Sequence, residues 1–163
     1  VPGAGFLLNN EMGDFNPRAG LTTEKGLIGT KPNLVAPGKR MLSSMSPTIV
    51  AKAGRPVLVV GSPGGRTIIN TVLGIIINHL VHGLPIQDAV DSPRLHHQWL
   101  PDKLVVEAGA LSAATRAALE KMGHAVEQRS GTQGSAMAIS VRGDGKLEAG
   151  CDRRRPDSAA VGY

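Results

Sequence analysis

Three short patches of this 163-residue chain carry groups suited to acyl chemistry. Glu11 and Asp14 stand three apart in NNEMGDF, at the start of a long loop. Two carboxylates on one turn can grip an ammonium group from two sides through charge-assisted hydrogen bonds; a solvated acidic turn is the plainer reading of that spacing alone. Ser43 and Ser44 precede an apolar run and offer paired hydroxyls to a carboxylate, or simply make a turn. Pro63-Gly64-Gly65 follows a second apolar run and opens a long apolar helix. Without Cβ atoms, two adjacent amides can approach a ligand oxygen closely. The positive end of the helix dipole favours negative charge on that oxygen. A plain helix-start turn has the same spelling, and the P-loop pattern GxxxxGK[ST] is absent. Acids for a nitrogen, hydroxyls for a carboxylate and amides for an oxyanion together suit an α-amino acid head group beside a reacting acyl carbon.

The remaining reactive side chains read as structural. His96 and His97 are neighbours in a strand and point to opposite faces, so they do not easily share an ion. His79 and His82 lie on one helix side without a carboxylate at ligand spacing. No metal and no cofactor is predicted. Cys151 is the one cysteine, so an intrachain disulfide is excluded; in a late strand it reads as a small packing residue. The net charge is +5, and the only dense basic run is Arg153-Arg154-Arg155. No aromatics interleave with it, and stacking on bases needs them. A soluble basic surface is expected rather than a nucleic-acid interface.

The elements that must position these patches follow from periodicity. Hydrophobic residues make up 41% of the chain but aromatics only 2%, so the core is built from Val, Ile, Leu, Ala and Met. Residues 5–9 read as a short strand and 10–40 as a long loop; loops of that length often act as lids. Apolar runs at 47–52 and 56–61, joined by Ala53-Gly54-Arg55, predict a hairpin. Their near-continuous apolarity predicts a sheet covered on both faces. Residues 66–82 are apolar nearly all round, which predicts a helix buried on all sides and ended at Gly83. A short helix at 86–90, strands at 94–99 and 104–107, and a helix at 113–122 capped by Ser112 come next. Strands at 124–129, 135–141 and 146–151 finish the chain, the last two joined at Asp144-Gly145. The sum is a layered α+β domain. No span reaches the ~18 apolar residues of a membrane helix, and no signal peptide is recognisable. Val1-Pro2-Gly3 is a turn sequence without an initiating Met, so a processed or truncated product is expected.

Taken in order, FLLNNEMGDF, PGKR, LSSMSPTIV, GSPGGRTI, PRLHHQWLPD and the closing VGY resemble the small subunit of the γ-glutamyltransferases (γ-glutamyl transpeptidases, or glutathione hydrolases). The likeness runs from Gly5 to Tyr163. It implies the N-terminal nucleophile hydrolase fold, a four-layer αββα sandwich made from two chains cut from one autoprocessed precursor. Residues 1–163 would then be the small-subunit part of a single domain, with the large subunit as obligatory partner. The resemblance further implies γ-glutamyl transfer from glutathione or a related amide to water, or to an acceptor amino acid or peptide. The acyl group passes through an ester on a threonine whose own amine acts as base. Carried over by motif, Glu11 and Asp14 bind the α-amino group of the γ-glutamyl moiety. Ser43 and Ser44 hold its α-carboxylate with help from an arginine of the large subunit, and Gly64 and Gly65 form the oxyanion hole. Bacterial members are usually periplasmic or secreted, and the same location is expected here.

The chain departs from the family pattern in several places. The family's threonine nucleophile lies upstream of the segment that matches Val1, and Thr22, Thr23, Thr48 and Thr67 stand in other motifs. By itself this chain is expected to be inactive. Gly13 replaces a usual aspartate, which is expected to loosen the turn holding Asp14. Met41 replaces a proline, and Cys151-Asp152-Arg153 replaces a small residue followed by Asp-Pro; both are expected to affect packing only. Residues 16–29, inside the loop region 16–40, correspond to a lid that often carries an aromatic, and none occurs here between Phe15 and Trp99. Two other readings stay open: a related amidohydrolase such as a cephalosporin-type acylase, and a non-catalytic glutamate-binding remnant.

Overall fold

The two apolar runs flanking Ala53 pair as an antiparallel hairpin, β1 (Thr48–Lys52) and β2 (Arg55–Gly61). In the computed structural model, which describes residues 2–6 and 8–162, Ala53 and Gly54 turn the chain with φ of 51° and 76°. That backbone matches the right-handed twist of the strands it joins. The chain divides into two units, Val1–Ser44 and Met45–Tyr163.

The second unit continues with α1 (Ile68–Ile76), α2 (Ile86–Asp91), β3 (Leu95–His96), β4 (Leu104–Val106) and α3 (Ala113–Lys121). Strands β5 (Val126–Gln128), β6 (Met137–Val141) and β7 (Leu147–Cys151) close it. One sheet has the order β1-β2-β6-β7 with every neighbour antiparallel. A smaller sheet, β3-β4-β5, pairs β4 and β5 in parallel. Period-2 alternation sends Leu58, Val60 and Ala138 to one face of the larger sheet. Ile68, Val72 and Ile75 of α1, at helical spacing, meet them together with Ile86, Ala89 and Val90 of α2. Leu58 and Val90 are completely buried; full burial of such a side chain is worth ~1.5–3 kcal/mol. The Ser112 hydroxyl caps α3 by accepting the Thr115 N–H at 3.0 Å, as its sequence position predicts.

Two expectations about cover are not met within the described residues alone. The helix expected at 66–82 is three pieces: a 3₁₀ turn at Gly65–Thr67, then α1, then a π-helical turn at Ile77–Val81. Only one side of it is buried, and Ile69 and Val81 are 67% and 71% exposed. The larger sheet likewise exposes Ile49, Val59, Met137, Ile139 and Leu147 on its outer face. The apolar pattern is two-sided, but these residues supply packing elements for one side only. The strand expected at 94–99 shrinks to Leu95–His96, because the chain turns at Gln98, whose carbonyl accepts the Leu100 N–H at 2.9 Å. No strand forms at Gly5, Phe6, Leu8 or Asn9; Leu7 lies outside the described residues.

The first unit is more ordered than an open loop. Two 3₁₀ turns, Glu11–Asp14 and Lys31–Asn33, are joined by the Asn16 N–H, which donates to the Asn33 carbonyl at 2.9 Å. Between them the Gly20 N–H bonds the Gly29 carbonyl at 3.1 Å, and the Thr23 N–H bonds the Leu27 carbonyl at 2.8 Å.

Candidate active site

Glu11 and Asp14 occupy the two ends of one 3₁₀ turn. Both are half-buried, and neither carboxylate has a hydrogen-bond or ion-pair partner among the described residues. Their acceptor oxygens are therefore available to a cation. Asn33, a residue that motif reading passed over, fixes this turn. Its side-chain amide donates to the Asp14 carbonyl at 2.7 Å, and its side-chain oxygen accepts the Leu42 N–H at 2.8 Å. One buried side chain thus ties the acid turn to the residue before Ser43 and Ser44. A Cβ at Gly13 would meet open space, so the turn itself does not require glycine there.

Gly64 and Gly65, in the second unit, adopt φ of 145° and 55°. The Thr67 N–H and hydroxyl both bond the Gly64 carbonyl, at 3.1 and 2.9 Å, which turns that peptide back into the helix start. The amides of Gly64 and Gly65 precede the first intrahelical bond and so have no partner in the helix. They sit at the positive end of the α1 dipole. A Cβ on Gly64 would lie 2.7 Å from Thr67 Oγ1 and 3.4 Å from the Gly134 Cα. The turn needs glycine for conformation and for space.

Gly134 belongs to a loop between β5 and β6 that sequence reasoning did not single out. The loop lies against the glycine turn: the Ser135 N–H donates to Ser62 Oγ at 3.2 Å, and that hydroxyl donates onward to the Pro63 carbonyl at 2.7 Å. A cleft of about 420 Å³ opens beside them, lined in part by Gly64, Thr67, Arg129, Ser135 and Arg155.

Behind the loop is a buried ion network. Asp152 has no exposed surface and faces Arg94 at 2.9 Å and Arg154 at 2.7 Å. Burial alone would raise its carboxyl pKa, but hydrogen bonding by Arg154 and the charges of Arg94 and Arg154 outweigh that and hold it at about 2. The folded value lies below the usual 3.8. The pair therefore contributes its full stabilisation above about pH 4 and loses it as pH falls toward 2, a change of about 2 kcal/mol. Denaturant unfolding between pH 5 and 2 is expected to show this acid-side loss, and Asp152→Asn is expected to flatten it.

The basic run is consumed by such contacts. Arg153 Nε bonds Asp91 at 2.6 Å, Arg154 bonds Asp152 and Glu107, and Arg155 Nε donates to the Gly134 carbonyl at 3.0 Å. The expectation that the change at Arg153 affects packing only is thus corrected. Its N–H donates to Asp91 at 3.0 Å, a bond that a proline there could not make. Cys151 is buried and unpaired, as a packing residue should be. His96 is buried between Asn70 Oδ1 (2.6 Å) and Gln98 Oε1 (2.7 Å), while His97 faces Asp102 outside. His79 bridges the Leu84 carbonyl and Ser140 Oγ, both at 2.8 Å.

The Gamma-glutamyltranspeptidase family profile matches residues 1–162. The chain is 47% identical over 160 residues to the glutathione hydrolase proenzyme of Escherichia coli K12, covering 98% of this chain and 27% of that protein. It superposes on a crystal structure of Helicobacter pylori gamma-glutamyltranspeptidase with a TM-score of 0.84 at 43% identity, covering 95% of this chain and 84% of that one. A further match, at 32% identity over 147 residues, is the acylase ACY 1 proenzyme of Pseudomonas sp. SE83, covering 90% of this chain and 24% of that protein. The chain spans about a quarter of the length of these curated relatives.

Proposed function

Because this chain belongs to the gamma-glutamyltranspeptidase family, we propose that it supplies the substrate pocket and oxyanion-binding turn of a γ-glutamyl acyl-transfer enzyme. Its α+β fold is that of the N-terminal nucleophile hydrolases. In this reading Glu11 and Asp14 hold the substrate's α-ammonium, and Ser43 and Ser44 hold its α-carboxylate. A threonine from sequence outside these residues attacks the γ-carbonyl. As the carbonyl oxygen takes up negative charge, the amides of Gly64 and Gly65 receive it; the ester left on the threonine then passes to water or to an amino acid or peptide.

The observation that carries the reading is the Gly64-Gly65 turn. It pairs amides that have no partner in the helix with positive φ at a helix start, and a Cβ on Gly64 would press on Thr67 Oγ1. That is how a donor pair is held ready for an oxyanion rather than for a neighbouring carbonyl.

A large subunit from the same precursor is the proposed partner. Two features support it: the relatives are proenzymes, and the outer face of β1-β2-β6-β7 presents Ile49, Val59 and Ile139 to solvent. A second sheet at the usual ~10 Å spacing would cover that face. A periplasmic or secreted location accompanies the reading. Among the described residues, no helix is long and apolar enough to cross a membrane.

The test uses the full gene product. It should release a chromogenic amine from a γ-glutamyl anilide, with free glutamate competing for the site. An acylase acting on other amides would turn over its own substrate without competition from glutamate, and a non-catalytic remnant would bind glutamate without turnover.

A further inference from the structure

The carboxylate of Glu107, directly after β4, is buried yet bonds to three separate segments. One oxygen accepts the backbone N–H of Arg94 at 2.8 Å and Arg154 Nη1 at 2.7 Å. The other accepts the backbone N–H of Gln133. The Gln133 carbonyl is held in turn by Arg94 Nη1, and the Gln133 side chain donates to Thr71 Oγ1 of α1 at 3.1 Å. Gln133 is therefore clamped at both ends of its peptide and by its side chain, and it is only 1% exposed.

The next two residues rest on the glycine turn. Gly134 has φ of 68°, and a Cβ there would lie 2.6 Å from Ser62 Oγ and 3.0 Å from the Pro63 carbonyl oxygen. Ser135 reaches Ser62 Oγ through its N–H. On this side Ser62 and Pro63 meet a loop whose own anchor is a buried charge. A carboxylate at the hub suits that task, because it accepts several hydrogen bonds at once and charge assistance makes each one stronger.

We propose that Glu107 is a positioning residue for the reaction: through Gln133 it seats Gly134 and Ser135 against Ser62-Pro63-Gly64 and so sets the direction of the Gly64 and Gly65 amides. The inference rests on the reading of those amides as oxyanion donors. It assigns the buried network a use beyond stability, which a buried ion pair by itself supports only weakly.

The experiment compares Glu107→Gln, Gly134→Ala and a distant control, Ser112→Ala, in the full matured gene product. Gly134→Ala removes no charged group, although its Cβ would lie 3.5 Å from Arg94 Nη1, and it answers the question where Glu107→Gln does not fold. Hydrogen–deuterium exchange is read on a peptide spanning residues 62–70, whose Thr67 N–H is normally held by the Gly64 carbonyl. Both test variants are expected to exchange there at least about tenfold faster, and kcat on a γ-glutamyl anilide is expected to fall at least about tenfold with KM within about threefold. Ser112→Ala is expected to lower the melting temperature and leave both readouts alone. Exchange at the wild-type rate in this peptide overturns the positioning role. Faster exchange with unchanged kcat overturns the reading of the turn as catalytic, and with it any part for Glu107 in the reaction.

Discussion

Gly64→Ala is expected to lower kcat by roughly 10²–10³-fold while leaving KM for the γ-glutamyl donor nearly unchanged. The Cβ it adds would lie 2.7 Å from Thr67 Oγ1, a hydroxyl already engaged with the Gly64 carbonyl. Either Thr67 gives way or the peptide rotates, and rotation swings an amide away from the developing charge. The φ of 145° makes the alanine strained even where space is found. Gly65→Ala is the informative companion: no atom lies within 4 Å of its would-be Cβ, so only the left-handed backbone, worth ~1–2 kcal/mol, opposes the change. Steady-state kinetics on the matured protein, with melting temperatures alongside, checks both. A folded Gly64→Ala enzyme with kcat within about tenfold of wild type would place the charge-receiving donors elsewhere.

Local chemistry was legible in the sequence, and cover was not. Asp144-Gly145, Ser112 and the Ala53-Gly54 turn act through their nearest neighbours, so their spelling alone places two hairpins and a cap. The apolar residues of 66–82 and of β1 and β2 report that something covers them without saying which chain provides it. Ile69, Val81 and Ile49 are exposed for that reason. The acid pair and the glycine pair stand out in the sequence because each lies within a single turn. Asn33, Glu107 and Gly134 do not: each works through residues 9 to 72 positions away, and no periodicity records such a contact. A Pro-Asn turn at 32–33 was the faint signal for Asn33, since asparagine side chains often bond nearby backbone at turns.

Asp14→Asn is expected to cut kcat/KM for a γ-glutamyl anilide by about 10- to 100-fold, the worth of a charge-assisted hydrogen bond to an ammonium group. Glu11→Gln should act in the same direction. The decisive comparison is a glutaryl anilide, which keeps the reacting amide and the distal carboxylate position but lacks the α-amino group. Against that donor Asp14→Asn should change little, because the group it serves is gone; the two deletions then fail to add, as coupled partners must. Asn33→Ala should behave differently. Asn33 holds both the Asp14 carbonyl and the Leu42 N–H, so its loss displaces the acid turn and the approach to Ser43 and Ser44 together, and both donors should suffer. Equal losses on the two donors with Asp14→Asn would mean that this carboxylate shapes its loop rather than gripping the substrate nitrogen. The head-group assignment would then pass to other residues, while the role of the glycine turn, tested through kcat alone, would stand.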